Sequence, residues 1–556
     1  MKTTRIKSTL WPVVFLFCLS LKADCVELHP LFTDHMVLQR ERPVPIWGTA
    51  APREEVTVEF ADQSVSATAD DKGAWQAELA PLTASAESRN LVVTGANAIT
   101  LKDVVVGDVW LASGQSNMDA PMDSGNAKKE LPSADDPLLR FFVVKKNVAA
   151  DPLDTIEGRW EKSDPETARR CSAVAWFFAR DIRRTQDVPV GIIHAAWGGT
   201  PIKTWMSLTS LEREPAMASV VAEYEKARAA HEAVKGTPEL QQEYYRDMED
   251  WENNVEPVYK AARKAHGEAV AKAKTVGEPP PPRPQPERPE PVMPDPIAMP
   301  SKTKRPSVPT IVYNAMVAPL APYGLRGILW YQGEADISRA ADYRQLFPRL
   351  IENWRADFSS PELPFLLVQL PGYGRDTAVV SDGGIADLRD AQAAALSLPA
   401  TGMVVTLDIG EAGDAHPRNK IHVGRRLALV ARKQVYTEDV VSSGPVYRSH
   451  KVTDGAVRVN FDHLGDGLII GQAPWRADSM PEAPTDRLVG FALRGANGSW
   501  VDAEARIDGD AVIVSNPDVP DPQELAYGWA DAPSVNLYNA GGLPAAPFRT
   551  DRPPHR

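Results

Sequence analysis

Three short segments, far apart in the chain, contain the residue types that acyl transfer needs. Residues 114–118, 330–334 and 414–417 have the sequences GQSNM, WYQGE and DAHP, and each follows an apolar run typical of a buried strand. In an α/β protein, the carboxyl ends of the strands form the edge at which ligands bind. We therefore expect a serine, a histidine and neighbouring carboxylates to meet at one such edge, as nucleophilic catalysis requires.

Ser116 is the candidate nucleophile, and His416, 300 positions later, is the candidate general base. Histidine titrates near neutral pH, and Asp414 is close enough in sequence to orient its imidazole. The segment around Ser116 is not the Gly-x-Ser-x-Gly elbow, because Met118 occupies the last position. The alternatives are that Ser116 is only a turn or helix-cap residue, and that Asp414 caps an Asx-type turn in which the histidine merely packs.

The same chemistry needs donors for the oxyanion of the tetrahedral intermediate. Backbone N–H groups of Ser116 and of a glycine in the pair Gly198 and Gly199 are candidates, and the amide of Gln332 or Asn117 is a third. Paired glycines also form ordinary turns, so this prediction depends on the whole set of segments.

The patterns around these residues predict three regions after a leader, the second of which contains an insertion. Residues 24–105 alternate with the two-residue period of strands and predict an all-β, sandwich-like domain. Apolar strands alternate with helical stretches over 106–442, which indicates an α/β domain with a parallel sheet. An insertion at about 212–309 reads as exposed helices followed by a proline-rich return strap, either a spacer or a lid or partner arm. Residues 443–556 return to strands.

Composition and the N-terminus limit the class of protein. A net charge of −13 argues against nucleic acid or an anionic membrane as partner. Residues 1–23 have basic residues before a short apolar stretch and a small residue at the end, which predicts a secretory signal peptide and an exported, periplasmic or secreted protein. An uncleaved membrane anchor is the alternative. Cys25 and Cys171 would allow one disulfide, and no zinc spacing occurs, so we expect no metal.

Several segments resemble those of the sialate O-acetylesterase family, within the SGNH (GDSL-like) hydrolases. They are residues 31–39, 111–118, 197–202, 330–334, 414–420, 527–531 and 536–539. The resemblance covers nearly the whole chain after the leader, apart from the insertion. It implies an SGNH-hydrolase, flavodoxin-like three-layer α/β/α core with β appendages, and removal of acetyl groups from sugar hydroxyls without a cofactor.

The resemblance also implies a role for each matched residue. Ser116 is then the nucleophile, His416 the general base and Asp414 the orienting acid, while Ser116, one of Gly198 and Gly199, and Gln332 form the oxyanion hole. One departure affects the acid. Many SGNH enzymes place the aspartate three residues before the histidine, where this chain has glycine, so Asp408 or Glu334 is an alternative orienting residue.

Residues beside these motifs are candidates for contact with a sugar. We expect aromatic rings to stack on the substrate, although at least half of them belong in the core, because large aromatic side chains are mostly buried. The predicted substrate-binding residues are Gln115, Asn117, Trp197, Trp330 and Tyr331.

The sequence thus predicts a serine esterase that removes O-acetyl groups from sugars, with O-acetylated sialic acids as the first expectation. An acetylxylan or other polysaccharide acetylesterase with the same triad is the alternative. A non-catalytic carbohydrate-binding protein is a second alternative, against which the intact serine, histidine and carboxylates argue. The sequence does not indicate an oligomeric state.

Overall fold

The computed structural model describes residues 25–276, 278–301, 304–374, 380–474, 484–496 and 498–552. The predicted signal peptide lies outside these residues. Cys25 is exposed and Cys171 is buried, and both are free thiols, so the disulfide considered above is not formed. None of the helices in the described ranges is long and apolar enough to cross a membrane.

Short strands build an N-terminal unit of two packed sheets. In Glu55–Phe60, for example, Val56, Val58 and Phe60 are buried while the residues between them face outward. The third strand pairs with both the first and the sixth, and the fourth pairs with the fifth and seventh. The strands are β1 (Glu27–Leu28), β2 (Val37–Gln39), β3 (Val44–Thr49), β4 (Glu55–Phe60), β5 (Gln63–Thr68), β6 (Ala74–Leu79), β7 (Ser85–Thr94) and β8 (Ala98–Gly114).

The strand β8 belongs to two units at once. Over its first residues it pairs antiparallel with β7, and from Asp108 to Gly114 it is the central strand of the large parallel sheet. The boundary between domains that we placed at 105/106 therefore falls inside one continuous 17-residue strand.

The large sheet is the core of the α/β domain. Its further strands are β9 (Asp136–Val143), β10 (Trp160–Ser163), β11 (Val190–Ala196), β12 (Gly327–Tyr331), β13 (Phe365–Val368) and β14 (Thr401–Val404). The order is β10-β9-β11-β8-β12-β13-β14, and only the β9–β10 pair is antiparallel. With β8 as the first strand and β11 as the second, the five main strands follow the flavodoxin-like order 2-1-3-4-5, and the β9–β10 hairpin extends one edge. The predicted fold class is confirmed.

Helices cover both faces of this sheet, and three more (α4 to α6) belong to the insertion described below. The helices are α1 (Ser116–Asp119), α2 (Ala173–Gln186), α3 (Leu208–Glu212), α4 (Ala218–Val234), α5 (Pro238–Asn254), α6 (Glu256–Val276), α7 (Ile311–Met316), α8 (Ala340–Asp357), α9 (Gly384–Ala393) and α10 (Lys420–Gln434). Trp330 in β12 stacks on Phe347 of α8, whereas its neighbour Tyr331 lies under Lys420 of α10. Successive strand residues point to opposite faces, so α8 and α10 lie on opposite sides, as a three-layer α/β/α core requires.

The insertion consists of α4, α5 and α6 and a proline-rich segment, residues 278–309, that runs back along them. Trp251 on α5 donates from its indole to the Arg288 carbonyl at 3.2 Å, and the Tyr245 hydroxyl donates to the Met299 carbonyl at 2.7 Å. A small apolar cluster around Trp251 includes Met293 of the segment. The proline-rich segment therefore packs on α5 at Arg288, Met293 and Met299.

The C-terminal unit has its own apolar core and two four-stranded sheets. Its strands are β15 (Val446–Thr453), β16 (Ala456–Asp462), β17 (Leu468–Ile470), β18 (Phe491–Arg494), β19 (Trp500–Asp502), β20 (Glu504–Asp508), β21 (Ala511–Ser515), β22 (Glu524–Tyr527), β23 (Leu537–Asn539) and β24 (Phe548–Arg549). The buried Arg389 of α9 joins it to the α/β domain by donating to the carbonyls of Ala530 and Asp531 at 2.6 and 2.7 Å.

Candidate active site

The predicted motifs meet at the carboxyl edge of the large sheet. Gly114, the last residue of β8, lies in register with Ala196 of β11 and with Tyr331 of β12. The chain after β8 carries Ser116, and the loop beyond β14 carries His416. The next parallel strands of the core, β11 and β12, lie on opposite sides of β8. The site therefore lies at the switch point of the strand order, where open α/β sheets bind ligands.

Ser116 and His416 are in direct contact. The Nε2 atom of His416 lies 2.9 Å from the Ser116 Oγ, which is hydrogen-bond distance. Ser116 is half-buried at the start of α1, while 58% of the His416 side chain is exposed. The arrangement places a base on the hydroxyl that it would deprotonate, in a site that is open on the histidine side.

Asp414 makes both of the contacts that the sequence left as alternatives. Its Oδ1 atom accepts a hydrogen bond from the His416 backbone N–H at 2.8 Å, which is an Asx-type turn. The same Oδ1 lies 3.4 Å from the imidazole Nδ1, somewhat longer than an ordinary N–H···O bond. More than half of the Asp414 side chain is exposed, so this contact is largely solvated.

Neither of the alternative acids makes a hydrogen bond to the His416 imidazole among the described residues. Asp408 makes two hydrogen bonds of 2.7 Å to Arg426 of α10 and accepts one from the Tyr538 hydroxyl at 3.1 Å. It therefore links the core to the C-terminal unit and is not available to the imidazole. Glu334 accepts a hydrogen bond from the Asn117 amide. Asp414 is the carboxylate that contacts the histidine ring.

Two glycines allow the close packing around the nucleophile. A Cβ atom at Gly114, whose φ is +135°, would lie 2.1 Å from the Tyr331 carbonyl oxygen. A Cβ atom at Gly198 would lie 3.1 Å from the Cβ of Ser116. The Gly198 backbone therefore runs directly beside the nucleophile, and its N–H makes only a long hydrogen bond, 3.4 Å, to Asp119. This N–H is the candidate oxyanion donor that the geometry favours.

Gly199 faces a different neighbour. Its φ is +76°, and a Cβ atom there would lie 2.8 Å from the Cγ of Arg305. Arg305 is an exposed residue near the end of the proline-rich segment. The insertion therefore ends against the loop that contains Gly198 and Gly199. This is the position expected if the insertion is an arm beside the active site.

Gln332 does not supply the third oxyanion donor. Its side chain is fully buried, and its Nε2 donates to the Thr200 carbonyl at 3.1 Å and to Asp336 at 2.6 Å. Since both protons of the amide are used, the residue fixes the loop after β11 and does not face an oxyanion. Asp336 completes this tie by accepting the Ile202 backbone N–H at 2.8 Å.

The burial of their side chains also contradicts the other predicted substrate contacts. Gln115 is 2% exposed, and its Oε1 accepts the backbone N–H groups of Gly333 and Ala335, both at 3.2 Å. Trp330 and Tyr331 are fully buried in β12, where each packs under a helix. Trp197 is 6% exposed and belongs to the core. These side chains position the loops of the site and offer little surface to a sugar.

Asn117 lies at the centre of a buried polar chain. Its Nδ2 donates to Glu334 and, at 2.9 Å, to the carbonyl of Ala415, while its Oδ1 accepts from the Lys420 ammonium. Burial raises the pKa of Glu334 above its usual range. Burial also lowers the pKa of Lys420 to about 8, against the opposing effect of the Glu334 charge. Asn117 is therefore a structural tie, and not the substrate contact that we predicted.

Lys420, Asp336 and Arg305 are the residues of the site to which sequence reasoning gave no role. Lys420 begins α10 four positions after His416, and a lysine in the first turn of a helix, where cations are disfavoured, was the available signal. No comparable signal pointed to Asp336 or Arg305, whose contacts with Ile202 and Gly199 join distant segments. Among the described residues, no group of three His, Cys, Asp or Glu side chains is placed to hold a metal ion.

Comparison with known proteins gives consistent matches. The model of a family described as carbohydrate esterase, sialic acid-specific acetylesterase, matches residues 106–269 and 304–433, together more than half of the chain. The sialate O-acetylesterase of Mus musculus is 27% identical over 473 residues, 77% of each chain. That of Homo sapiens is 28% identical over 453 residues, 74% of this chain and 71% of the human protein.

A solved structure resembles the chain over almost its whole length. The crystal structure of a carbohydrate acetylesterase from Xanthomonas citri is 31% identical in sequence and superposes with a TM-score of 0.73. The match covers 95% of this chain and 99% of that protein. The N-terminal and C-terminal β units are therefore part of the shared architecture.

Proposed function

The chain belongs to the carbohydrate-esterase family of sialic acid-specific acetylesterases, and we propose that it hydrolyses sugar O-acetyl esters with Ser116 as nucleophile, His416 as general base and Asp414 as the orienting acid. Family membership makes the protein a carboxylic ester hydrolase. The observation that carries the assignment of residues is the 2.9 Å contact between Ser116 Oγ and His416 Nε2.

In the first step, Ser116 Oγ attacks the acetyl carbonyl carbon while His416 Nε2 accepts the hydroxyl proton. The carbonyl oxygen becomes an oxyanion, for which the Gly198 and Ser116 backbone N–H groups are the proposed donors. The intermediate then expels the sugar oxygen, which takes the proton from His416. The products of this step are the free sugar and an acetyl ester on Ser116.

In the second step, His416 removes a proton from water, and the resulting hydroxide attacks the acetyl ester on Ser116. Collapse of the second tetrahedral intermediate returns the proton to Ser116 and releases acetate. The half-exposed His416 lies where water reaches it, so this step needs no movement of the histidine loop. The reaction requires only the ester and water.

We assign O-acetylated sialic acids as the first substrate class, because the family description and the curated relatives carry that name. The second candidate is an acetylated polysaccharide such as xylan. It is favoured by the exposed face of the His416–Asp414 pair, since a polymer must pass across an open site. The fold and the proposed triad are the same for both classes.

Acetate release decides between these substrates. Wild type and Ser116→Ala are compared on O-acetylated sialic acid and on acetylated xylan at equal enzyme concentration. Release that disappears in Ser116→Ala supports the nucleophile, and the substrate that gives it identifies the class. Activity that survives in Ser116→Ala would remove Ser116 from its role. Binding of sugar without release from either substrate would favour a carbohydrate-binding protein.

We also propose that residues 1–23 are removed on export and that the enzyme works in the periplasm or outside the cell. The basic residues before a short apolar stretch support this placement. Mass spectrometry of the intact protein from the exported fraction tests it. A mature chain beginning near residue 24 is expected, and full-length protein confined to the cytoplasm would contradict it.

A further inference from the structure

Lys420 is a buried cation in an unfavourable place. Lys420 is 3% exposed and is the first residue of α10, where the helix dipole repels a positive charge. Burial lowers the pKa of the ammonium to about 8, so charge at this position costs the folded protein free energy. A lysine that is buried despite this unfavourable free energy is expected to have a role in the neighbouring site.

The contacts of Lys420 indicate what that role is. The ammonium donates to Asn117 Oδ1 and lies 5.8 Å from the centre of the Tyr331 ring. Asn117 then donates to Glu334 and to the carbonyl of Ala415. One side chain, Asn117, thereby connects α1, the turn after β12 and the loop of the general base.

The ammonium determines which way the Asn117 amide faces. Lys420 has only donors, so Oδ1 must face it, and the NH₂ end must then face Glu334 and Ala415, both of which only accept. Without Lys420, the Oδ1 atom would be a buried acceptor without a partner. A reversed amide would place its oxygen against two other oxygens.

We propose that Lys420 is a positioning residue of the catalytic centre, which fixes the Asn117 amide that ties the nucleophile to the general base. Asn117 directly follows Ser116, and Ala415 directly precedes His416, so the amide sets the separation of the reacting pair. This inference rests on the proposed function of Ser116 and His416. Lys420 acts through Asn117 and does not contact the reacting atoms.

The test is a double-mutant cycle with kinetic constants for p-nitrophenyl acetate. The variants are Lys420→Met, Asn117→Ala and the double variant, and the control is Lys433→Met, which removes an exposed lysine from the same helix. We expect kcat of Lys420→Met to fall at least tenfold with KM within threefold of wild type. We expect kcat of the double variant to be no lower than that of Asn117→Ala, because the two residues act as one chain. Lys433→Met should match wild type.

Two results would overturn the inference while leaving the proposed function intact. One is a kcat of Lys420→Met within threefold of wild type, and the other is a double variant whose loss is the product of the two single losses. Lys420→Leu, which likewise offers no hydrogen-bond donor, replaces Lys420→Met under the same criteria if circular dichroism shows that the methionine variant is unfolded. A wild type without Ser116-dependent turnover would instead overturn the proposed function and the inference together.

Discussion

Replacing Asp414 by asparagine should reduce activity far less than the loss of a buried triad aspartate does. The Asp414 carboxylate lies 3.4 Å from the imidazole, and both side chains are more than half exposed. In water, two unit charges at that separation attract by about 1.2 kcal/mol, and exposed ion pairs contribute about 1 kcal/mol or less. A loss of about 1 kcal/mol in stabilising the imidazolium of the transition state is about a fivefold fall in kcat/KM. In a buried triad, the same substitution costs about 10⁴-fold.

The measurement is kcat/KM for Asp414→Asn, Asp414→Ala and wild type, at low salt and in 1 M NaCl. Asparagine retains the oxygen that accepts the His416 backbone N–H, whereas alanine removes the Asx-type turn as well, so alanine should lose more. The gap between wild type and Asp414→Asn should shrink in 1 M NaCl, because exposed charges are screened. A loss above about 10³-fold for Asp414→Asn would refute this reasoning, since it would require a desolvated acid. Equal activity of all three proteins would show that Asp414 does not orient the histidine.

Three further outcomes follow from buried contacts elsewhere. Asp408→Asn leaves the Arg426 guanidinium without its carboxylate and should lower the free energy of unfolding by about 3 to 5 kcal/mol, measured by denaturant titration; an unchanged value would contradict a buried pair. Gly114→Ala places a Cβ against the Tyr331 carbonyl and should lower kcat/KM at least about 100-fold by displacing Ser116. Near-normal kinetics would mean that the backbone accommodates the Cβ without moving Ser116. Burial raises the pKa of Asp357 from 3.8 to about 6, so the folded state binds the carboxyl proton more tightly than the unfolded state does. The free energy of unfolding should therefore fall by up to about 3 kcal/mol as the pH rises from 3.8 to about 6. Asp357→Asn should remove that fall in stability, and an identical pH profile would contradict the assignment.

The fold and the contact between Ser116 and His416 were predictable because local patterns encode them. Continuous apolar runs mark the strands of a sheet covered on both faces, and the residue types after those runs identify Ser116 and His416. The same pattern already placed Trp330 and Tyr331 inside a strand, so their predicted contact with substrate conflicted with their own periodicity. The structure resolves that conflict in favour of burial.

The polar neighbours of the nucleophile were not predictable in this way. A glutamine or asparagine beside a catalytic serine has the same appearance in the sequence whether it binds a sugar or ties two loops together. Gln115, Asn117 and Gln332 are tied by groups that come from segments distant in the chain. Their roles depend on which loops the sheet order brings together, and one sequence does not specify those contacts.

The length of β8 gives the N-terminal unit a part in the chemistry. Its first residues are held in register by the N-terminal strands, and its last residue lies two positions before Ser116. A one-residue slip along this strand would shift the nucleophile by about 3.3 Å and exchange its inward and outward faces. That displacement exceeds the 2.9 Å that joins Ser116 to His416. The N-terminal unit therefore helps to fix the position of Ser116, and a residue inserted or deleted along β8 would displace it.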